Sequence, residues 1–366
     1  MPTNMIDYLR IALYVGLATA LFFGFQTWEK EHPHTTLSLA TTITTNPLTS
    51  NNYVPEVTNT AVANKTPAVP NVAAPTPVDL AHIPVKVQTD VADVEIDPVG
   101  GNIVQLKLRN YPETLNQPTP YLLLNTAPVT EYISQSGLLS TEGPDTQKGQ
   151  ALYTPEQTSY SLANGQNEMQ VKMHWLNKEG VKFTKIFTFK RNDYEIGVDY
   201  QIENNSKQPW TGNLYTQLMR KNAPPAGNGG LGMATYYGAA ISSPDKHFQK
   251  ITFKDMSANN LNKTIQGGWA AMVEHYFLSA WIPDKNAVNQ YFSRVMPNGL
   301  YTIGMIGPQM QVAPGQTQKT HVQFYAGPTI ASDLEKVAPS LQLTIDYGWL
   351  WIISAAIFWM MQKIYN

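Results

Sequence analysis

The chain has 366 residues, 25 Lys+Arg against 27 Asp+Glu for a formal charge of -2, and no Cys. That length holds one large domain or two ordinary ones. The near-zero charge argues against a chain built to coat nucleic acid, and the missing Cys excludes disulfides, thiolate metal sites and Cys nucleophiles. Charged residues make up only 14%, beside 19 Tyr, 12 Phe, 8 Trp and 26 Pro, where about 25% charged is usual. This balance points to a large β domain, with a membrane as a candidate neighbour, and away from a charged helical enzyme or a coiled coil.

The first element is an apolar run, Ile11 to Trp28, uncharged from Ile11 to Phe25. With Leu9 and its flanks it approaches the roughly 20 residues that cross a bilayer. Tyr8 and Trp28 stand at its ends, where amphipathic rings favour the interface. Arg10 precedes it, which places the amino terminus in the cytoplasm. A cleaved signal peptide is the competing reading. The run continues past Ala18-Thr19-Ala20 through Leu21, Phe22, Phe23 and Phe25, and a cleavage site belongs beyond the apolar centre. A retained anchor over residues 1–30 is therefore expected. Residues 31–81 follow as a Pro/Thr/Asn-rich tether, with Thr66 to Pro77 reading TPAVPNVAAPTP. Pro removes donors and Thr and Asn favour turns, so little regular structure is expected there.

From His82 short alternating stretches recur between turns, and residues 82–345 are predicted to form one mainly β domain. Val85-Lys86-Val87, Val91 to Ile96 and Ile103 to Leu108 come first, with Gly100-Gly101 between the last two. Phe183, Phe187 and Phe189 alternate with Thr184, Ile186 and Thr188. After a turn at Arg191-Asn192-Asp193, the residues Tyr194, Ile196, Val198, Tyr200 and Ile202 share one face, and Glu195, Asp199, Gln201 and Glu203 the other. Period two with one wet face predicts a hairpin. Trp269 to Trp281 reads as one strand with Trp269, Val273, His275, Phe277 and Trp281 on a common face, although a helix competes. Val322, Phe324 and Ala326 mark a further strand, and Leu341 to Ile345 is β-like. Many short strands with Gly/Pro turns mean a large sandwich.

No P-loop, GxGxxG or HExxH stands out. The stretch Gly227 to Gly232 lacks the Lys-Ser or Lys-Thr of a phosphate loop. His174, His247, His275 and His321 lie in the β region but lack convincing carboxylate partners in sequence. Glu274 and His275 are adjacent, hence on opposite faces of a strand and a poor acid–base pair. His275 reads as a packing or hydrogen-bonding residue. No catalytic, cofactor-binding or metal site is assigned, and no cofactor is expected.

The last element is Asp346 to Asn366, DYGWLWIISAAIFWMMQKIYN. Its apolar stretch is short for a span and closes on Gln362-Lys363. At helical spacing Trp349, Ile352, Ile353, Ala356, Ile357, Met360 and Ile364 form an apolar stripe. An interfacial helix is the favoured reading, with Trp349, Ile352, Ile353, Ala356 and Met360 facing lipid or further protein. A spanning or a buried helix stays open.

Several of these segments together resemble one family. Asp346 to Ser354 (DYGWLWIIS), His275-Tyr276-Phe277 through Ala280-Trp281-Ile282-Pro283, Phe183 to Tyr200, Gly100-Gly101, and Tyr132 to Leu138 (YISQSGL) are similar, in order and spacing, to the amino-terminal part of the bacterial membrane protein insertase family YidC. The resemblance covers about residues 1–25 and 83–362. It implies a Gram-negative inner-membrane protein with a periplasmic β-supersandwich similar to galactose mutarotase-like domains, then an amphipathic helix, then five spanning helices forming the insertase core. The chain stops at Asn366, before any core helix, as a fragment or a natural truncation. The implied function is insertion and folding of inner-membrane proteins, alone or with the Sec translocon, to which residues 1–366 contribute docking and orientation without enzymatic activity. The implied partners are the lipid bilayer, Sec components and, through the core, nascent membrane proteins, with no nucleic acid and a monomeric state. The alternative is a membrane-anchored periplasmic carbohydrate-binding or mutarotase-like domain.

Overall fold

A computed structural model describes Pro55 and residues 83–114, 116–224 and 235–345. The expected anchor, most of the tether and the expected terminal helix lie outside the described residues. The fold is built on two sheets, one of twelve strands and one of nine. The first runs Asn262–Gln266, Val288–Val295, Leu300–Val312, Trp210–Lys221, Tyr132–Leu139, Asn102–Pro112, Ala92–Asp97, Val85–Gln88 and Ser159–Ser161, with short strands added at its side. The second runs Gln249–Ile251, Gly238–Ser242, Trp269–Val273, Phe277–Ile282, Thr317–Pro328, Glu195–Asn204, Val181–Lys190, Glu168–Leu176 and Thr154–Pro155. After Asn204 the chain changes sheet repeatedly, so each sheet is knitted from distant segments. Pairing is antiparallel except where Ser159–Ser161 joins Val85–Gln88 and Asp145–Thr146 joins Tyr132–Leu139.

The expected hairpin is present. Val181–Lys190 and Glu195–Asn204 pair with Phe183 opposite Ile202, Phe187 opposite Val198 and Phe189 opposite Ile196. All six are buried, and Asn192 takes the left-handed conformation (φ 55°) in the turn, which Asn tolerates. These side chains meet Leu106, Leu138, Leu218 and Ile303 of the first sheet in one core. Each such residue taken from water contributes about 1.5–3 kcal/mol, so the alternation is what drives the two sheets together.

Two expectations are corrected. Trp269 to Trp281 is not one strand but two, Trp269–Val273 and Phe277–Ile282, joined by the turn Glu274–Tyr276 in which the Glu274 N–H donates to the Phe277 carbonyl at 2.8 Å. The turn reverses the alternation. Trp269 and Val273 lie on the outer face of the second sheet, while Phe277 and Trp281 enter the core between the sheets. Leu341 to Ile345 is not β. A 3-10 turn (Leu341–Thr344) takes its place, preceded by helix α2 (Ala331–Val337) and, earlier in the chain, by helix α1 (Phe253–Ala258), which opens on a Thr252–Asp255 capping box. The missed signal is helical spacing. Leu334, Ala338 and Leu341 fall at i, i+4 and i+7, and together they cover Trp269, Ala271, Val273 and Leu278 on the outer face. The Trp269 indole N–H fixes the crossing by donating to the Pro339 carbonyl at 3.1 Å.

Candidate functional site

The segments that carry the family resemblance are far apart in sequence, and three of them meet at one buried side chain. Lys185 sits between Phe183 and Phe187 and, by period two, points the same way as they do. It is fully buried. Its ammonium crosses to the first sheet and donates to the Gly100 carbonyl at 3.0 Å and the Ser136 carbonyl at 2.8 Å. It also lies 5.2 Å from the Phe187 ring centre and 5.3 Å from that of Tyr200. The Tyr200 hydroxyl donates to the Ser136 hydroxyl at 2.9 Å. The glycines make room for the group. Gly101 is left-handed (φ 62°), and a Cβ there would meet the Lys185 Cδ at 2.9 Å. A Cβ at Gly137 would collide with the carboxylate of Asp145.

Asp145 is the countercharge. It is fully buried and accepts from the Leu138 N–H at 2.7 Å and the Gln150 amide at 3.1 Å. Gln150 also donates to the Tyr215 hydroxyl at 2.8 Å. Burial pushes Asp145 up to about 6, opposed by the charge of Lys185 and the Leu138 N–H. Burial pulls Lys185 down to about 7, opposed by Asp145. The pair interacts through space, because the lysine gives its hydrogen bonds to carbonyls rather than to the carboxylate.

A second buried charge lies nearer the turn Glu274–Tyr276. Arg220, on Trp210–Lys221, donates from Nη2 to Glu274 Oε1 at 2.7 Å, with both side chains 5% exposed. The Tyr121 hydroxyl donates to the other carboxylate oxygen at 2.6 Å. The Tyr132 and Tyr237 rings lie 4.3 and 4.4 Å from the guanidinium carbon, a geometry that favours a cation. Burial works against the charge on Arg220, and Glu274 with the neighbouring tyrosines outweighs it. Tyr121 is raised by burial and then by the Glu274 carboxylate. Nε and Nη1 of Arg220 have no hydrogen-bond partner among the described residues.

The histidines do not converge. His275 is exposed and hydrogen-bonds Thr235, in keeping with its reading as a hydrogen-bonding residue. Two others do have carboxylate partners, contrary to expectation: His174 with Glu156 at 2.9 Å, and His321 with Asp199 at 2.8 Å. The partners are cross-strand or loop residues that sequence adjacency cannot reveal. His174 stands on Glu168–Leu176 and His321 on Thr317–Pro328, with two strands between them. Both are partly solvated hydrogen-bonded contacts at the surface, a kind that typically contributes about 0–1 kcal/mol even when fully charged. Glu274, read beside His275, serves Arg220 instead. Among the described residues no group of acidic or histidine side chains is arranged to hold a metal ion, and no helix is long and apolar enough to cross a membrane. Trp349, Ile352, Ile353, Ala356 and Met360 lie outside the described residues.

Parity could have found Lys185, since a lysine between two core phenylalanines of one strand falls on the dry face, where an unpaired charge is out of place. Arg220 carried no such signal, because its partner is 54 residues away.

Comparison with solved structures finds a galactose mutarotase related enzyme from Lactobacillus acidophilus, 10% identical, covering 67% of this chain and 97% of that one at a TM-score of 0.45. A galactose mutarotase-like protein from Lactobacillus casei is 9% identical and covers 67% of this chain and all of that one, with a TM-score of 0.42. Among curated proteins, the membrane protein insertase YidC of Pseudomonas syringae is 37% identical over 374 residues, 98% of this chain and 65% of the relative. That of Coxiella burnetii is 38% identical over 368 residues, 98% of this chain and 64% of the relative. The chain thus spans about two thirds of the length of these relatives, just short of it in both cases. The model of the YidC periplasmic domain matches residues 84–360, and the chain belongs to that family.

Proposed function

We propose that residues 1–366 are the amino-terminal, periplasmic portion of a membrane protein insertase of the Gram-negative inner membrane. Residues 1–30 anchor the chain with its amino terminus in the cytoplasm, 31–81 tether it, 82–345 stand in the periplasm as a monomeric β-supersandwich, and 346–366 lie as an amphipathic helix on the membrane face. The whole protein inserts and folds inner-membrane proteins, alone or with the Sec translocon. A polar segment entering lipid directly faces a desolvation cost, and an insertase lowers it. The portion described here contributes docking and orientation. The observation that carries this reading is the family match over residues 84–360.

Complementation of an insertase-depleted Gram-negative strain tests it. Residues 1–366 alone leave growth unrestored, and the same residues joined to the remaining third of a relative restore it. Growth on residues 1–366 alone contradicts the proposal. The terminal helix has its own test. Ile353→Asp puts a charge in the centre of the apolar stripe and weakens membrane association, whereas a charge at Gln362 has little effect. Equal effects at the two positions argue for a span.

A further inference from the structure

An asparagine followed by glycine is prone to lose its side-chain amide, because a residue without Cβ lets the next backbone nitrogen reach the side chain. The sequence holds three such pairs, at 164–165, 228–229 and 298–299. The second lies outside the described residues, and the fold treats the other two in opposite ways.

Asn298-Gly299 lies in the turn between Val288–Val295 and Leu300–Val312, and both of its reacting groups are held. The Gly299 N–H donates to the Met296 carbonyl at 2.8 Å, and the Asn298 side-chain oxygen accepts from the Leu300 N–H at 3.2 Å. Asn164-Gly165 lies in the turn between Ser159–Ser161 and Glu168–Leu176, closed by the Gln166 N–H donating to the Ala163 carbonyl at 3.1 Å. Both residues are exposed. Neither the Asn164 side chain nor the Gly165 N–H has a hydrogen-bond partner among the described residues. Nothing lies within 4 Å of where a Cβ on Gly165 would stand. Gly165 has a φ of 84°, and glycine takes either sign, so the 164–165 peptide can rotate toward the side chain without losing a bond. The ends of the turn stay fixed, because Arg191 donates from Nε to the Gln166 carbonyl at 2.9 Å and from Nη2 to the Ala163 carbonyl at 2.8 Å.

We propose that Asn164 is a site of spontaneous covalent modification, for which the turn itself supplies the nucleophile. The Gly165 nitrogen attacks Asn164 Cγ and gives its proton to water. The new C–N bond closes a five-membered imide, the bond to the side-chain nitrogen breaks, and that nitrogen leaves as ammonia. Water then opens the imide. Attack at Cγ yields aspartate at this position, and attack at the main-chain carbon yields isoaspartate, whose main chain is one atom longer. Over the two steps one water enters and one ammonia leaves, with no change of oxidation state. Either product turns a neutral amide into a carboxylate and takes the formal charge from -2 to -3. Isoaspartate also lengthens the turn that Arg191 spans and loosens its two contacts there.

The test follows the full chain by site-resolved peptide mass during incubation at pH 8, folded and in urea. In the folded chain Asn164 exchanges amide for acid at least about tenfold faster than Asn298, since two hydrogen bonds protect the latter. The product at Asn164 separates into aspartate and isoaspartate forms. In urea the two sites react at similar rates, because the fold no longer distinguishes them. Asn164 reacting no faster than Asn298 in the folded chain overturns the proposal. So does a preference that persists undiminished in urea, since local sequence then sets it. An aspartate product without isoaspartate overturns it as well, since direct hydrolysis of the side chain forms no imide.

Discussion

The two buried charges of the sandwich solve one problem in different ways. Arg220 meets its carboxylate directly, at 2.7 Å, with the Tyr132 and Tyr237 rings close to the guanidinium. Lys185 gives its protons to two carbonyls and feels Asp145 through space. A guanidinium does not deprotonate in proteins, whereas an ammonium does so readily once buried. The arginine cluster is therefore a fixed charge pair across the sheets, and the lysine cluster is a titratable one. Folding requires both to be satisfied, and of the two charge pairs the second is the one whose titration falls near neutral pH.

The largest expected effect comes from opening the fixed pair. Arg220→Met leaves Glu274 buried with Tyr121 as its remaining partner, and a loss of about 3–5 kcal/mol is expected on breaking a buried pair. Arg220→Met with Glu274→Leu removes both charges and should cost less than Arg220→Met alone. Urea unfolding of the three proteins measures the difference, and a double variant worse than the single would show that the pair is not the unit. Next comes Lys185→Met, which strands the Gly100 and Ser136 carbonyls and should cost about 1–3 kcal/mol at neutral pH. The loss is smaller because the lysine gives up its proton easily, so less charge attraction is forfeited. Gly137→Ala pushes a methyl group into Asp145 and should cost about 1–3 kcal/mol by overpacking, with the melting temperature as readout. At the small end, His174→Ala removes a partly solvated pair with Glu156 and should change stability by less than about 1 kcal/mol.

How far the sequence reaches differs between the same regions. The hairpin from 181 to 202 is legible because one face is wet and one dry, so every residue votes on the register. That parity also contained Lys185, between Phe183 and Phe187. The segment 269–281 misleads because it is apolar on both faces. Trp269 and Val273 are covered by α2 from outside, while Phe277 and Trp281 are covered by the other sheet. With no wet face, the reversal at Glu274–Tyr276 leaves no mark in the pattern. The piece from 331 to 345 misleads because it is short and its stripe of Leu334, Ala338 and Leu341 is interrupted by Pro339. Arg220 and its tyrosines are legible only in three dimensions, since the partners come from four separate segments.

The contrast between the clusters has a stability signature. Unfolded Lys185 keeps its proton up to about its ordinary value of 10.5, and folded Lys185 releases it near 7. Between those values the unfolded chain binds the extra proton, so this residue makes stability rise with pH from 7 to 10.5. Asp145 acts in the opposite sense lower down. Folded, it holds its proton to about 6 rather than 3.8, so its contribution falls as pH rises through that window. Arg220 adds no slope in either range. Unfolding free energy should therefore rise between pH 7 and 9.5 in the unsubstituted chain, and that rise should disappear in Lys185→Met.

The most direct measurement is the carbon NMR titration of the Lys185 side chain in the folded protein, assigned by its loss in Lys185→Met. An inflection near pH 7 at Lys185, with the Arg220 guanidinium carbon unchanged up to pH 10, is the result this account predicts. A Lys185 signal that stays in its charged position up to pH 10 would contradict it, and both clusters would then be fixed charge pairs.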